Sequence, residues 1–233
     1  YNTDDDSLSG AEALIRWNSR KYGFIGPNTF IPLLEDSALI IPLGRWIINT
    51  AAKACNRWIT SIPDFVMHIN LSFVQIVKSN IVKDVLENIE RYSAANNHYV
   101  FEITETIEMD QIPAVQNVFK EFVKNEFRFA IDDFGTGYSN YGYMRDRTFD
   151  IVKVDRSFVT DIDKLKDNYL MVSFIIKMAH EMGLHVCIEG VETKEELSCV
   201  KKLGADYIQG YYYGKPVCLQ DFEEQHLKRF VLG

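Results

Sequence analysis

Residues Phe127-Arg128-Phe129-Ala130-Ile131-Asp132-Asp133-Phe134-Gly135-Thr136-Gly137 read as a strand running into two adjacent acids and a glycine turn. The run from Phe127 to Asp132 is short, apolar and aromatic, which favours a strand. Similar runs occur at Ala11–Trp17, Phe65–Leu71, Tyr99–Thr104, Phe149–Asp155, Leu184–Glu189 and Tyr207–Gln209. Stretches with helical spacing lie between them, at 42–60, 80–95, 111–124, 165–182 and 193–203. Thr193-Lys194-Glu195-Glu196 fits a capping box and marks the last helix start. Repeated strand–helix order predicts a parallel sheet with helices outside it. About seven strands are visible where a closed (β/α)8 barrel needs eight. The simplest repair is a strand just before Tyr1, with Asp4-Asp5-Asp6-Ser7 as the turn into Ala11–Trp17. An open doubly wound sheet is the alternative.

The 233 residues suit one such barrel, 1–233. With 47% hydrophobic and 25% charged residues the composition is that of a globular domain. No apolar run reaches the roughly 20 residues of a membrane span. The opening Tyr1–Ser9 is polar, unlike a signal peptide. Without a starting Met, the chain reads as a piece of a longer protein. The net charge of −8 and a pI near 5.2 disfavour duplex nucleic acid as a partner. Cys55, Cys187, Cys199 and Cys218 lack CxxC spacing and read as reduced cytosolic thiols, three of them buried.

Nearly every expected strand ends in a polar residue. The endings are Asn70, Glu102, Asp132 with Asp133, Lys153 with Asp155, Glu189, and Gln209. Glu12 and Arg16 fall on the earliest strand, where even spacing predicts one shared face. The carboxyl ends of barrel strands gather at one mouth, so these groups would form a cluster. Clustered acids resist joint ionisation, and metal ions are the usual remedy. Glu12, Asn70, Glu102, Asp132 and Asp133 offer only oxygen, which suits Mg²⁺ or Mn²⁺. No pair among His68, His98, His180, His185 and His226 has zinc-site spacing. Adjacent aspartates could hold two metals with Asp132 bridging, a geometry used in phosphoester hydrolysis. Singly, each feature has a bland explanation: a surface glutamate, a loop Asp-Asp, a turn glycine. Their recurrence at successive strand ends points to function.

The motifs then become specific. Glu12-Ala13-Leu14-Ile15-Arg16-Trp17 resembles the EAL-x-R-W motif of bacterial EAL-domain cyclic di-GMP phosphodiesterases. Phe30-Ile31-Pro32-Leu33-Leu34-Glu35 and Ile41-Pro42-Leu43-Gly44-Arg45-Trp46 continue the likeness. So do Asn70-Leu71-Ser72 with Gln75, Phe101-Glu102-Ile103-Thr104-Glu105, and Asp132 through Ser139. Lys153-Val154-Asp155-Arg156-Ser157-Phe158, Glu189-Gly190-Val191-Glu192-Thr193 and Gln209-Gly210-Tyr211 complete the series, in order and over nearly the whole chain.

The resemblance implies a barrel whose first strand runs against the others and lies mostly before Tyr1. It implies hydrolysis of cyclic di-GMP to linear pGpG in bacterial signalling, with two Mg²⁺ or Mn²⁺ ions and inhibition by Ca²⁺. Implied metal ligands are Glu12, Asn70, Glu102, Asp132 and Asp133. Implied catalytic residues are Lys153, Glu189 and Asp133, with Lys153 orienting water and phosphate and Glu189 exchanging the proton. Arg16, Leu14, Glu192 and Gln209 would position substrate. Glu105, Gly135, Thr136 and Gly137 would position the loop. A homodimer, upstream sensory or cyclase domains and a cytoplasmic location are expected, the intact parent being free or membrane-tethered. Some family members have lost acids and only bind cyclic di-GMP as receptors; this chain keeps the whole set. The family usually has Gly where Ala38 stands and a small residue where Ile188 stands, and Asn18-Ser19-Arg20 replaces a common His-Pro segment.

Overall fold

The computed structural model describes residues 1–104, 112–136 and 148–227. Glu105 and Gly137, both expected to position the loop, lie outside them. Seven strands form one curled parallel sheet: β1 (Gly10–Ala13), β4 (Val66–Asn70), β5 (Tyr99–Thr104), β6 (Arg128–Phe134), β7 (Ile151–Val154), β8 (His185–Glu189) and β9 (Tyr207–Gln209), in that spatial order. The expected strand over Ala11–Trp17 divides. It leaves the sheet after Ala13, and residues 17–25 form a separate hairpin of β2 (Trp17–Ser19) and β3 (Gly23–Ile25). Arg16 therefore does not share a strand face with Glu12.

Helices cover the outside of the sheet: α1 (Pro27–Asp36), α2 (Ile40–Trp58), α3 (Phe73–Lys78), α4 (Ile81–Ile89), α5 (Pro113–Lys124), α6 (Lys166–Glu181), α7 (Lys194–Leu203) and α8 (Leu219–Phe222). The sequence expectation lacked α1, α3 and the four-residue α8. Pro32 inside α1 disguises it, yet Pro27 occupies its first turn, where proline is tolerated. The six-residue α3 is fixed by a capping box between Ser72 and Gln75. The box expected at Thr193 and Glu196 also forms.

Tyr1–Thr3 runs antiparallel to β9, with Tyr1 N and O both bonded to Ile208 at 2.8 Å and Thr3 N donating to Asp206 O. A turn closed by Asp6 N to Asn2 O and Asn2 N to Ser7 O then leads towards β1.

Two-residue periodicity builds the interior. Outward-facing Met67, Ile69, Phe101, Ile103, Phe129 and Ile131 pack under the helices. An aromatic cluster of Phe101, Phe119, Phe122, Phe127, Phe129 and Phe149 clamps β5 and β6 to α5 at centroid distances of 4.7–6.4 Å. Truncating a buried Phe to Ala typically costs about 3–5 kcal/mol. The inward face carries a smaller apolar layer, Val100, Ala130, Ile151 and Cys187, with Val66 and Tyr207 against it. Two residues further along the same strands stand His68, Glu102, Asp132, Lys153, Glu189 and Gln209, joined by Glu12 two residues after Gly10. All four cysteines are free, but only Cys55 and Cys187 are buried; Cys199 is half-buried beside α7's packed face rather than inside the core.

Candidate metal-dependent active site

Lys153 is almost wholly enclosed on β7, and four carboxylates converge on it. Its Nζ lies 2.7 Å from Glu189, 2.8 Å from Glu102, 3.0 Å from Asp132 and 3.6 Å from Glu12. Burial alone would lower its pKa, but Glu102, Glu12, Glu189 and Asp132 hold it well above the usual lysine value. Burial raises Glu102 far above an ordinary carboxyl, with Glu12 and Asp132 reinforcing the shift against Lys153. Burial likewise pushes Glu189 up to about 8. Burial also opposes ionisation of Glu12, yet Lys153, Gln209 and Asn70 outweigh it and keep that carboxyl low.

Asn70 Nδ2 donates to Glu12 Oε1 at 2.6 Å, and Gln209 Nε2 donates to Glu12 Oε2 at 2.7 Å. Asp132, Asp133 and Glu189 each bring a carboxylate oxygen within 4.8 Å of the others. Asp133 is raised by burial and then by Asp132 and Asp155. Its φ of 53° turns it away from strand alternation, so two consecutive residues can serve one mouth. Five carboxylates thus face one ammonium. Glu102 Oε2 is buried with no hydrogen-bond partner among the described residues. Such a surplus of hard oxygen donors, with one left orphaned, fits divalent cations.

The loops are locked to one another. A Cβ on Gly135 would meet the Phe158 ring at 2.6 Å, so the turn after Asp133 packs directly on the turn after β7. A Cβ on Gly190, whose φ is 73°, would lie 2.3 Å from Arg156 Cβ. The same turn after β7 is therefore wedged against Glu189. Thr136 Oγ1 donates to Asp133 O at 2.8 Å and closes the first of these turns. Glu196 Oε2, in the α7 capping box, accepts from the backbone N–H groups of Glu192 and Thr193. One motif thereby starts the helix and fixes Glu192. Ser72 Oγ donates to Glu35 at 2.6 Å while capping α3, which steadies the chain just after Asn70.

Glu12, Leu14, Arg16, Glu189, Glu192 and Gln209 line one cavity of about 1230 Å³. Arg16 is exposed there, and its guanidinium donates to the neighbouring Ile15 carbonyl. Sequence reasoning passed over His68. It stands on β4 between Val66 and Asn70, facing inward, and its Nδ1 lies 2.7 Å from Glu102 Oε1. Burial, with Lys153 adding to it, lowers its pKa to about 3, so the ring is neutral. The two-residue alternation that puts His68 on the same strand face as Asn70 was the available signal.

Residues 1–216 match the EAL domain family. The cyclic di-GMP phosphodiesterase PdeL of Escherichia coli (strain K12) is 32% identical over 213 residues, covering 90% of this chain and 58% of PdeL. The solved EAL enzyme Bd1971, in its cAMP- and cyclic-di-GMP-bound form, superposes with a TM-score of 0.90 at 35% identity, over 96% of this chain and 61% of that one. The PaMucR phosphodiesterase in complex with c-di-GMP gives 0.86 at 30% identity, over 92% and 87%. The chain spans about a third of the length of the first curated relatives it matches. Its fold is the TIM-like barrel of these EAL structures, and the chain belongs to the EAL domain family.

Proposed function

We propose that this chain hydrolyses one phosphodiester of cyclic di-GMP to give linear 5′-pGpG. The observation that carries the reading is the single constellation of Glu12, Glu102, Asp132, Asp133 and Glu189 around Lys153. Glu12, Asn70, Glu102, Asp132 and Asp133 would hold two Mg²⁺ or Mn²⁺ ions. Bound there, the ions would lower the pKa of water and offset charge on the phosphoryl oxygens. Lys153 orients water and phosphate and keeps four acids in register. Glu189, whose carboxyl is pushed up to about 8 by burial, is suited to taking and returning a proton near neutral pH. Arg16, Leu14, Glu192 and Gln209 grip the nucleotide along the cavity. Ca²⁺ inhibits, because it prefers more ligands at longer distances.

A pure receptor would have no use for the complete acid set. The exposed stripe of Leu170, Met171 and Phe174 on α6, beside Leu165, supports a homodimer. The domain would act within a longer protein that carries sensory or cyclase domains, in the cytoplasm. No helix among the described residues is long and apolar enough to cross a membrane. Chromatography of cyclic di-GMP incubated with the protein and Mn²⁺ tests the reading. Conversion to pGpG, abolished by EDTA, is expected; tight binding without any product would leave the receptor reading instead.

A further inference from the structure

Glu102 has two oxygens in unlike surroundings. Oε1 is met twice, by His68 Nδ1 at 2.7 Å and by Lys153 Nζ at 2.8 Å. Oε2 is buried and has no hydrogen-bond partner among the described residues. Holding a cation, Glu102 would be ionised and could only accept, so Nδ1 of His68 would then carry the proton and donate. The last torsion of a glutamate is broad and roughly two-fold. Lys153 cannot fix it alone, because its ammonium also serves Asp132, Glu189 and Glu12. A second donor on the same oxygen, rigid and held by β4, can.

We infer that His68 is a positioning residue that fixes the Glu102 carboxylate and reserves Oε2 for a divalent cation. The inference rests on the reading of Glu102 as a metal ligand. Partners of this kind orient ligands, and their loss typically costs about 10–100-fold in metal affinity. His68 faces the same cavity from inside the barrel. It has no place in the motifs quoted above, since it lies two residues before Asn70, on the strand that leads into that motif. The acids alone therefore do not account for the affinity of the site.

The test is Mn²⁺ titration of the full chain by electron paramagnetic resonance, without nucleotide, on wild type, His68→Ala, His68→Asn and Glu102→Gln. His68→Ala is expected to weaken Mn²⁺ binding about 10–100-fold, and His68→Asn, whose amide N–H can replace Nδ1–H, to recover most of the loss. Adding His68→Ala to Glu102→Gln should cost little more, because the histidine acts through the glutamate. Wild-type affinity in His68→Ala, with loss in Glu102→Gln, would overturn the role of His68 and leave the metal site standing. Wild-type affinity in Glu102→Gln would overturn the metal reading and this inference with it. Nitrogen hyperfine coupling to bound Mn²⁺ that disappears in His68→Ala would make His68 a ligand and overturn its positioning role. Melting curves in EDTA identify any variant that does not fold. If His68→Ala is such a variant, His68→Asn compared with His68→Leu decides: equal Mn²⁺ affinity in these two overturns the inference.

Discussion

Gln209 and Glu12 meet across the gap between the two edge strands of the sheet, Nε2 to Oε2 at 2.7 Å. β1 and β9 share no backbone pairing in the sheet, so this side-chain bond links the strand of Glu12 to the last strand. Gln209→Ala is expected to lower stability by about 1.5 kcal/mol, the scale of a hydrogen bond to a charged group, and to weaken Mn²⁺ binding. Thermal melting and a metal titration check it. A raised KM with unchanged melting and metal affinity would mean that Gln209 touches only substrate.

Lys153→Met should separate folding from metal loading. The variant leaves Glu12, Glu102, Asp132 and Glu189 without their shared cation. Breaking a buried ion cluster costs about 3–5 kcal/mol. Urea unfolding in EDTA should show that loss, and saturating Mn²⁺ should restore part of it, about 2.7 kcal/mol at one hundred times Kd. Turnover should stay strongly depressed even with metal. Equal unfolding midpoints for variant and wild type in EDTA would rule out this account of Lys153.

Ala38 departs from the family's usual glycine, and it stands at a φ of 57°. A left-handed conformation costs an L-residue about 1–2 kcal/mol, whereas glycine adds about 0.4–1 kcal/mol of unfolded-chain entropy. The first effect wins. Ala38→Gly is expected to stabilise the protein by about 0.5–1 kcal/mol, read as a higher urea midpoint with activity unchanged. A lower midpoint would contradict it.

Asp206 gives the acid limb of stability. Burial would raise its carboxyl, but His180 Nε2 at 2.8 Å and Val186 N at 2.7 Å outweigh burial and hold it below its usual value. A depressed folded pKa means that the contribution is fully present above the unfolded pKa, about 3.9, and is lost as pH falls through the folded value. The melting temperature of Asp206→Asn should therefore lie below that of wild type at about pH 5 and above, and the two should converge below about 4. A gap that persisted to the lowest pH would assign the effect to packing instead.

Much of this arrangement was legible in the residues. Their place at the strand ends put Glu102, Asp132, Lys153, Glu189 and Gln209 at one mouth, and the structure sets each on an inward position two residues beyond Val100, Ala130, Ile151, Cys187 and Tyr207 respectively. Arg16 was misplaced because Glu12 to Trp17 is continuous in hydrophobic pattern, while the backbone leaves β1 after Ala13 to enter a hairpin. Pattern cannot report a bend that preserves side-chain character. Helix α1 was hidden by Pro32, since local propensity opposes what packing imposes. The role of His68 could not be read from ligand spacing, because its partner Glu102 is 34 residues away and is brought near only by the pairing of β4 with β5.

Lys153 gives the acids a common hub. Glu102, Asp132 and Glu189 reach it from strands paired on both sides, and Glu12 joins them while held by Asn70 and Gln209. A displacement of any one of these side chains changes the field that the single ammonium presents to the other three, so the constellation keeps or loses its geometry as a unit.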